Sequence, residues 1–378
     1  MCTTRGIPKS TKLGLIIGAC LLSAPVLASE LDALKQQVED LQTRIKEVAS
    51  KQSEWKQATS VVHLAGYGAV SYIDSEDSTG SFNQVQFAPI FHYQYEDLMM
   101  LESELEITVG PEGETETELE YLTLDLFLND YAVLVAGKFL SPVGQFRQNL
   151  HPSWINKLPS APPGFGHGGA APVSDTGLQI RGGLPMGGMR GNYALYIANG
   201  PELELDGGEV HEILAEGRTR DIDGDKSVGG RFGLLPVPGL EVALSFVTGK
   251  AQDQTEVQPP QDYDVIGADF AWQWRDLELR GEYLRAEVAE LPSVEGGEWQ
   301  TWYTQASYKF LPGNFEGVIR YTDFDSPHAD DDQKQWALGI NYLFAANVIA
   351  KLAYESNDGQ TGSATDDNRI LAQIAYGF

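Results

Sequence analysis

Residues 141–173 carry four basic or titratable side chains and no carboxylate, although the whole chain contains 54 acidic residues. The four side chains are Arg147, His151, Lys157 and His167. A segment this long without secondary structure usually has a function in a compact domain. Positive side chains that meet in a narrow, water-filled space raise the local concentration of anions. We therefore predict an anion-attracting site here; solvated charges on a surface loop are the alternative.

On the predicted inward faces of the strands, the signs of the charges segregate along the sequence. Five acids are predicted to line the early strands, and four bases are predicted to line strands five to eight. These additional site candidates are Glu102, Glu104, Glu106, Glu120, Asp125, Lys138, Arg181, Arg190 and Arg231. Opposed acidic and basic surfaces would create a transverse field that orients dipolar solutes. Mutual neutralisation of the charges in pairs is the alternative.

The elements that must position these side chains have the period of two that is typical of strands. From Val62 onward apolar and polar residues alternate, and each segment is close to the 9–11 residues that a tilted membrane strand needs. The sequence predicts sixteen strands: 62–73, 82–95, 97–109, 118–129, 131–140, 174–184, 189–199, 226–235, 239–249, 262–274, 276–288, 299–310, 314–324, 333–344, 346–356 and 369–378.

The connections between these strands alternate between short and long. Turns such as Asn129-Asp130 contain two residues, whereas the next connection along the chain, residues 141–173, is long. Short turns on one rim and long loops on the other are typical of an outer-membrane barrel. An even number of strands places both barrel ends on the short-turn side, which is the periplasm.

One face of each strand is apolar and the other is polar. In strand 174–184, Leu178 and Ile180 share one face, while Gln179 and Arg181 share the other. An arginine on the lipid face costs about 2–4 kcal/mol at the bilayer midplane, so the apolar face must point outward. The polar faces then enclose a water-filled lumen.

The last strand ends on a row of apolar residues that includes Ile370, Ile374, Tyr376 and Phe378. Aromatic residues also stand beside the short turns, where a barrel has its interfacial girdle. The predicted periplasmic belt consists of Tyr95, Tyr131, Trp274, Phe310, Phe344 and Phe378.

The C-terminal strand 369–378, which ends on Phe378, resembles the closing strand of bacterial outer-membrane β-barrels. Residues 136–183, with the motifs Gly137-Lys138-Phe139, Pro142-Val143-Gly144 and Trp154-Ile155-Asn156-Lys157-Leu158-Pro159, are similar to the phosphate-selective porin (O/P-type) superfamily. The resemblance is taken to cover residues 62–378. It implies a loop that folds into the lumen and narrows it. The chain departs from the phosphate-specific members, whose pores carry a dense ladder of Arg and Lys, and the solute class stays open.

The N-terminal 60 residues predict two further segments. Residues 1–28 have the basic start, short apolar core and small-residue end of a signal peptide, which contains both cysteines, Cys2 and Cys20. A lipoprotein cleavage box ending at Cys20 is the alternative. Residues 29–60 predict a periplasmic coiled-coil helix, because apolar residues are spaced 3-4-3-4-3 from Leu31 to Val48. A single amphipathic helix packed on a domain is the competing interpretation.

Charge and motif content exclude several classes of function. The net charge of −28 argues against a nucleic-acid partner. Asp221-Ile-Asp223-Gly-Asp225 resembles half of a calcium loop but lacks the downstream Glu. The sequence predicts no cofactor and no metal site.

The predicted fold class is all-β: a transmembrane antiparallel up-and-down β-barrel of about 16 strands over residues 61–378, preceded by a short α-helical coiled coil. The resemblance implies a channel in the outer membrane of a Gram-negative cell. Small hydrophilic solutes, with anions as candidates, would diffuse through it passively. A homotrimer in contact with lipid and lipopolysaccharide is expected, and no catalysis. An adhesin or structural tether is the main alternative; a barrel enzyme is weaker, because His63 and His92 have no Ser–carboxylate partnership in the pattern.

Overall fold

The structure is a computed structural model that describes residues 60–110, 112–310 and 313–378, together with Gln36 and Thr43. Gln36 and Thr43 have helical backbone and exposed side chains. Apart from these two residues and Ser60, the predicted signal peptide and coiled coil lie outside the described residues. The chain divides into two compact units, Met1–Thr59 and Ser60–Phe378.

The second unit is built from strands. In the part of the chain that the structure describes they are β1 Ser60–Ser75, β2 Ser81–Tyr95, β3 Met99–Val109, β4 Thr115–Asn129, β5 Ala132–Leu140, β6 Ser174–Met186, β7 Met189–Asn199, β8 Glu202–Asp206, β9 Glu209–Leu214, β10 Lys226–Val237, β11 Leu240–Asp253, β12 Gln261–Trp274, β13 Leu277–Val288, β14 Gly297–Phe310, β15 Phe315–Asp325, β16 Gln333–Ala345, β17 Val348–Gly359 and β18 Arg369–Gly377. No helix among the described residues is both long and apolar enough to cross a membrane.

Sixteen of these eighteen strands close into one antiparallel barrel within residues 60–378. Each wall strand pairs with the next one in sequence, β7 pairs with β10, and β18 pairs with β1. At the closure Gly66 N lies 3.1 Å from Phe378 O, and Phe378 N lies 2.9 Å from Gly66 O. The remaining two strands, β8 and β9, form a hairpin in the connection between β7 and β10. The prediction of an all-β barrel with about 16 strands is confirmed.

The strand bounds follow the alternation of the sequence closely. The largest difference is four residues, at the end of β11, where residue 249 was predicted and Asp253 is observed. The hairpin of β8 and β9 was not predicted; it lies between the predicted strands 189–199 and 226–235. This hairpin contributes nothing to the wall order, so the barrel topology does not depend on it.

The predicted faces of the wall are also confirmed. Leu178 is 50% exposed on the outside, whereas its neighbour Gln179 is 2% exposed on the inside. The same alternation separates the exposed Trp336 from the buried Gln335. Apolar side chains therefore cover the outer surface, where lipid solvates them, and polar side chains fill the interior.

Aromatic residues stand at the rim of the short turns. Of the predicted belt, Tyr95, Tyr131, Trp274, Phe344 and Phe378 are exposed, and Phe310 is half-buried. The guanidinium carbon of Arg275 lies 5.0 Å from the centroid of the Trp274 ring. A cation over an aromatic face is favourable. Aromatic rings and a charged group therefore lie together at this rim, as they do at a membrane–water interface.

Candidate functional site in the barrel interior

The segment 141–173 folds inward, and a wall carboxylate fixes its first turn. The backbone N–H groups of Gln145 and Phe146 each donate to a carboxylate oxygen of Glu282 on β13, at 3.1 Å. Gly144 has a φ of +74°, and a Cβ added there would lie 1.6 Å from Glu282 Oε1. Only glycine fits this turn, which leads into a five-residue helical turn, Phe146–Leu150.

Lys157 and Asn341 fix the middle of the segment to the far wall. The Lys157 ammonium lies 2.9 Å from Glu316 Oε1 on β15, and Glu316 is 2% exposed. Asn341 Nδ2 on β16 donates to the Lys157 carbonyl at 2.9 Å and to Glu316 Oε2 at 3.3 Å. The three residues form one polar cluster, in which a side chain and a backbone group of the loop are both satisfied.

Lys351 on β17 binds the loop backbone from the same side. Its ammonium donates to Ser153 O at 2.5 Å, to Leu158 O at 3.4 Å and to Gln373 Oε1 at 2.7 Å. Loop carbonyls therefore take the place of water around a buried wall cation. This arrangement ties the path of the loop to the position of β17.

Arg320 on β15 anchors the next part of the segment. Its guanidinium donates to Ser160 O at 3.1 Å, Ala161 O at 3.2 Å and Gln335 Oε1 at 3.0 Å. The Ser160 hydroxyl also donates to Glu355 of β17. A planar guanidinium presents its donors in fixed directions, so it holds the loop backbone at a defined position.

Apolar side chains of the segment pack on the same half of the wall. Trp154 packs against Ala69, Ile349 and Ala375, and a Cβ added at Gly377 would lie 2.8 Å from its indole ring. Leu158 is 1% exposed in a cluster with Val318, Ala337 and Ala353. Phe165 lies edge-on to Phe146 at 5.9 Å and to Tyr303 at 5.1 Å between ring centroids. The loop thus covers much of the inner face of β13–β18.

All four basic residues predicted in the segment lie beside a carboxylate. Arg147 Nη2 is 3.5 Å from Glu120 Oε2, and His151 Nε2 is 3.7 Å from Glu104 Oε1. Lys157 faces Glu316, as described above. His167 Nδ1 is 2.6 Å from Glu216 Oε1, at the exposed end of the segment and away from the lumen. The structure therefore brings three of the four into the barrel and pairs each with an acid.

Arg181 is the most exposed of the predicted wall bases that are paired inside the barrel. Its Nη2 lies 2.6 Å from Asp125 Oδ2, yet its side chain remains 40% exposed. Arg231 is held more tightly, with Nη2 at 2.6 Å from Asp269 Oδ1 and 2.9 Å from Glu241 Oε1. Removal of either partner of such a buried pair would leave an uncompensated charge, which is strongly destabilising.

The other predicted wall residues are more scattered. The prediction that Lys138 lines the interior is wrong, because Lys138 is paired with the outward-facing Leu122 and its Nζ donates to the Leu119 carbonyl at 2.9 Å. Arg190 is exposed beside the turn between β6 and β7. Among the acids, Glu104 is 1% exposed and accepts from Tyr67 OH at 2.7 Å. Glu102 and Glu106 are half-buried on the same strand. Glu102 and Glu104 of β3 thus line the same cavity as Arg181 on β6, on the same side of the barrel.

Two neighbouring cavities mark the open side of the interior. The first, of about 180 Å³, lies between β2–β6 and the loop, and Glu102, Glu104 and Arg181 line it. The second, of about 460 Å³, lies beside β5–β7, β10 and β11. Arg181 and the loop residue Gln148 line both cavities. Both cavities thus lie along β2–β7, β10 and β11, away from the β13–β18 wall that the loop covers.

The hairpin of β8 and β9 belongs to the long connection between β7 and β10, at the end of the barrel that carries the long loops. Leu203, Val210 and Ile213 are buried in one apolar cluster with Phe165 of the inward-folded loop. Burial of Glu212 on β9 raises the pKa of its carboxyl, and the nearby carboxylates of Glu204 and Glu216 raise it further. The sequence signal for this hairpin is Gly207-Gly208 between two alternating segments, a turn pair that favours tight hairpins.

The sequence analysis did not assign several residues that build the site. Glu282 and Glu316, which bond to the loop, were not among the predicted site residues. Tyr67 and Gln179 line or support the first cavity, and both lie on the inward parity of their strands. The alternation of residues along a strand could have indicated that these side chains face the interior. It could not have indicated which loop atoms they contact there.

A closed sixteen-stranded barrel with apolar residues outside, polar residues inside and a long loop in its lumen defines an outer-membrane porin, a diffusion channel. Residues 192–378 match the family described as phosphate-selective porin O and P. The match confirms the family resemblance. It does not reach residues 136–183, which carry the motifs from which the resemblance was recognised. No curated protein sequence matches the chain.

Solved structures of porins share the fold. An anion-selective porin from Comamonas acidovorans is 16% identical with a TM-score of 0.58, covering 84% of this chain and 100% of its own. The outer membrane channel DcaP of Acinetobacter baumannii is 12% identical with a TM-score of 0.54, covering 85% of this chain and 98% of its own. The trimer form of OmpT from Vibrio cholerae is 12% identical with a TM-score of 0.52, covering 85% of this chain and 100% of its own. At these identities the likeness establishes the fold.

Proposed function

We propose that small hydrophilic solutes diffuse passively through this barrel along the side that the loop leaves uncovered. The proposal is based on the position of Arg181. This partly exposed base lines both interior cavities together with Gln148 of the loop. The loop residues Arg147, His151 and Lys157 hold the loop against the wall, and the loop narrows the lumen. No chemical step and no energy coupling are required, since the gradient of the solute drives its movement.

Charge selection in this channel comes from the wall more than from the loop. Arg147, His151 and Lys157 each face a carboxylate, and a paired charge in a low-dielectric site attracts a free ion much less than an unpaired one. Arg181 pairs with Asp125 of β4 but keeps 40% of its side chain exposed. Its remaining N–H donors are the groups that make anions acceptable solutes.

We also propose that the functional unit is a homotrimer in the outer membrane, surrounded by lipid and lipopolysaccharide. One porin of the same fold has been solved in a trimer form, and the heptad spacing of residues 31–48 is suited to self-association. Mass measurement of the native complex in detergent tests this assembly. A mass of one chain would contradict it.

Planar-bilayer recording tests the channel itself. Purified protein should give stepwise conductance, and absence of any channel would overturn the proposal. In a salt gradient, Arg181→Gln should move the reversal potential toward cation preference. Arg285→Gln is the matched control, because Arg285 pairs with Glu298 at 2.6 Å on the outer face of the wall. It should leave the reversal potential unchanged.

Cells offer a second test, which separates the channel from the adhesin or tether interpretation. Deletion of the gene should slow the uptake of small hydrophilic solutes. Unchanged uptake together with lost surface attachment would favour the adhesin or tether.

A further inference from the structure

The first interior cavity has the composition of a binding site for a solute with two opposite charges. It has a volume of about 180 Å³ and lies between β2–β6 and the loop residues that follow Arg147. An engineered cavity of about 150 Å³ holds a molecule the size of benzene, so a small metabolite fits here. The inference rests on the proposed channel function and names a class of solute for it.

One end of the cavity is acidic. Glu102 has 25% of its side chain exposed, and Glu104 behind it is 1% exposed. Glu104 accepts from Tyr67 OH at 2.7 Å, and His92 Nε2 lies 3.6 Å from Glu102 Oε2. The Tyr67 hydroxyl orients Glu104 without neutralising it, and the imidazole of His151 lies 3.7 Å from the same carboxylate. The exposed Glu102 is therefore able to receive a cationic group of a solute.

The other end of the cavity offers hydrogen-bond donors to an anion. Arg181 uses Nη2 on Asp125 and leaves 40% of its side chain exposed. Gln179, two residues earlier on β6, is 2% exposed, and its Nε2 has no hydrogen-bond partner among the described residues. A buried donor without an acceptor is costly, and a solute carboxylate placed between the two side chains would remove that cost.

The surface between the two ends is apolar on β5, where Val135 is 1% exposed and Phe139 is 4% exposed. Tyr121 and Thr123 of β4 line the cavity next to this apolar part. An apolar lining favours a hydrocarbon chain over water. The cavity therefore presents an acid, an apolar middle and a base in that order.

The wall geometry sets the distance between the charged ends. Glu102 lies on β3 and Arg181 on β6, three strand spacings apart. The register adds an offset along the strands, because Glu102 is level with Gly177, four residues from Arg181. At about 4.8 Å per spacing and about 3.4 Å per residue, the two backbones are about 20 Å apart, and both side chains line the same cavity. The gap between the charged groups is then several ångströms, longer than the separation within an α-amino acid.

We propose that this cavity is a subsite for dipolar solutes that carry an ammonium and a carboxylate at opposite ends of a short apolar chain, as ω-amino acids do. The ammonium binds at Glu102, and the carboxylate binds at Arg181 and Gln179. A solute with one charge leaves one end of the site unmatched, and an unmatched polar group in a narrow site lowers affinity. Binding here slows the ion current while the solute passes.

The experiment is solute block of the ion current in planar bilayers. The probes are 6-aminohexanoate, hexanoate and hexylammonium, which share chain length and differ in charge. On the wild-type channel 6-aminohexanoate should halve the current at a concentration at least about tenfold below that of either singly charged probe. Equal blocking concentrations for the three probes would overturn the subsite.

Variants locate the effect and separate it from general loss of function. Arg181→Gln and Glu102→Gln should each raise the blocking concentration of 6-aminohexanoate about tenfold, whereas the outward-facing control Arg285→Gln should not change it. Block that persists in both variants would place the binding elsewhere and overturn the proposal. A protein that conducts no ions would contradict the channel function itself, which is a different failure from a conducting channel without preference for the dipolar probe.

Discussion

The ammonium of Lys157 lies 2.9 Å from the carboxylate of Glu316, 159 residues later in the chain, so a predicted loop cation is an anchor to the opposite wall. Glu316 is buried and Lys157 is 21% exposed on its side chain. The loop charge that the sequence offered for attracting anions is thus used to hold the loop in the lumen. Selectivity then depends on wall charges that remain exposed.

Lys157→Met should release the middle of the loop. Removing one partner of a fully buried pair costs about 3–5 kcal/mol, and the partial exposure of Lys157 makes the cost here smaller. The released loop should be cut faster by protease and should give noisier open-channel current. In the double variant Lys157→Met/Glu316→Leu no unpaired carboxylate remains, so loop protection should largely return. Equal protease sensitivity of wild type and Lys157→Met would contradict the anchor.

Gly144→Ala should disturb the first turn of the loop. The new Cβ would lie 1.6 Å from Glu282 Oε1, and the positive φ adds backbone strain of about 1–2 kcal/mol. Gly187→Ala is the matched control, since Gly187 has a φ of +66° but no atom within 4 Å of the added Cβ. Hydrogen exchange of residues 145–150 should accelerate in Gly144→Ala and stay at the wild-type rate in Gly187→Ala. The same exchange rate in Gly144→Ala would show that Glu282 does not fix this turn.

Glu212 should make the hairpin of β8 and β9 sensitive to pH. Its pKa is raised in the folded protein, so folding favours the protonated carboxyl. Hairpin stability is therefore lost as the pH rises from the ordinary glutamate range through the raised pKa, and it is regained on acidification. Hydrogen exchange of the hairpin amides, corrected for intrinsic rates, should slow toward mild acid. Glu212→Gln should slow the exchange at neutral pH and flatten the profile; an unchanged profile would contradict this role.

Local patterns in the sequence predicted the wall but could not predict the partners inside it. Gln335 and Trp336 show why the wall was predictable, because strand parity alone decides which of the two faces lipid. The pairing of Lys157 with Glu316 could not be predicted in the same way, since it depends on how a loop crosses the lumen. The hairpin at Gly207-Gly208 had a local signal, but its strands, Glu202–Asp206 and Glu209–Leu214, are too short to be recognised as wall strands.

The central claim is that the open route follows β2–β7 and that the loop covers the opposite wall. Cysteine accessibility to a charged thiol reagent tests it during current recording, with Arg181→Cys on the open side and Thr322→Cys, on the inner face of β15 and 0% exposed, on the covered side. Reagent should reduce the current of Arg181→Cys and leave that of Thr322→Cys unchanged. Rapid block through Thr322→Cys, with no effect at Arg181→Cys, would contradict the account.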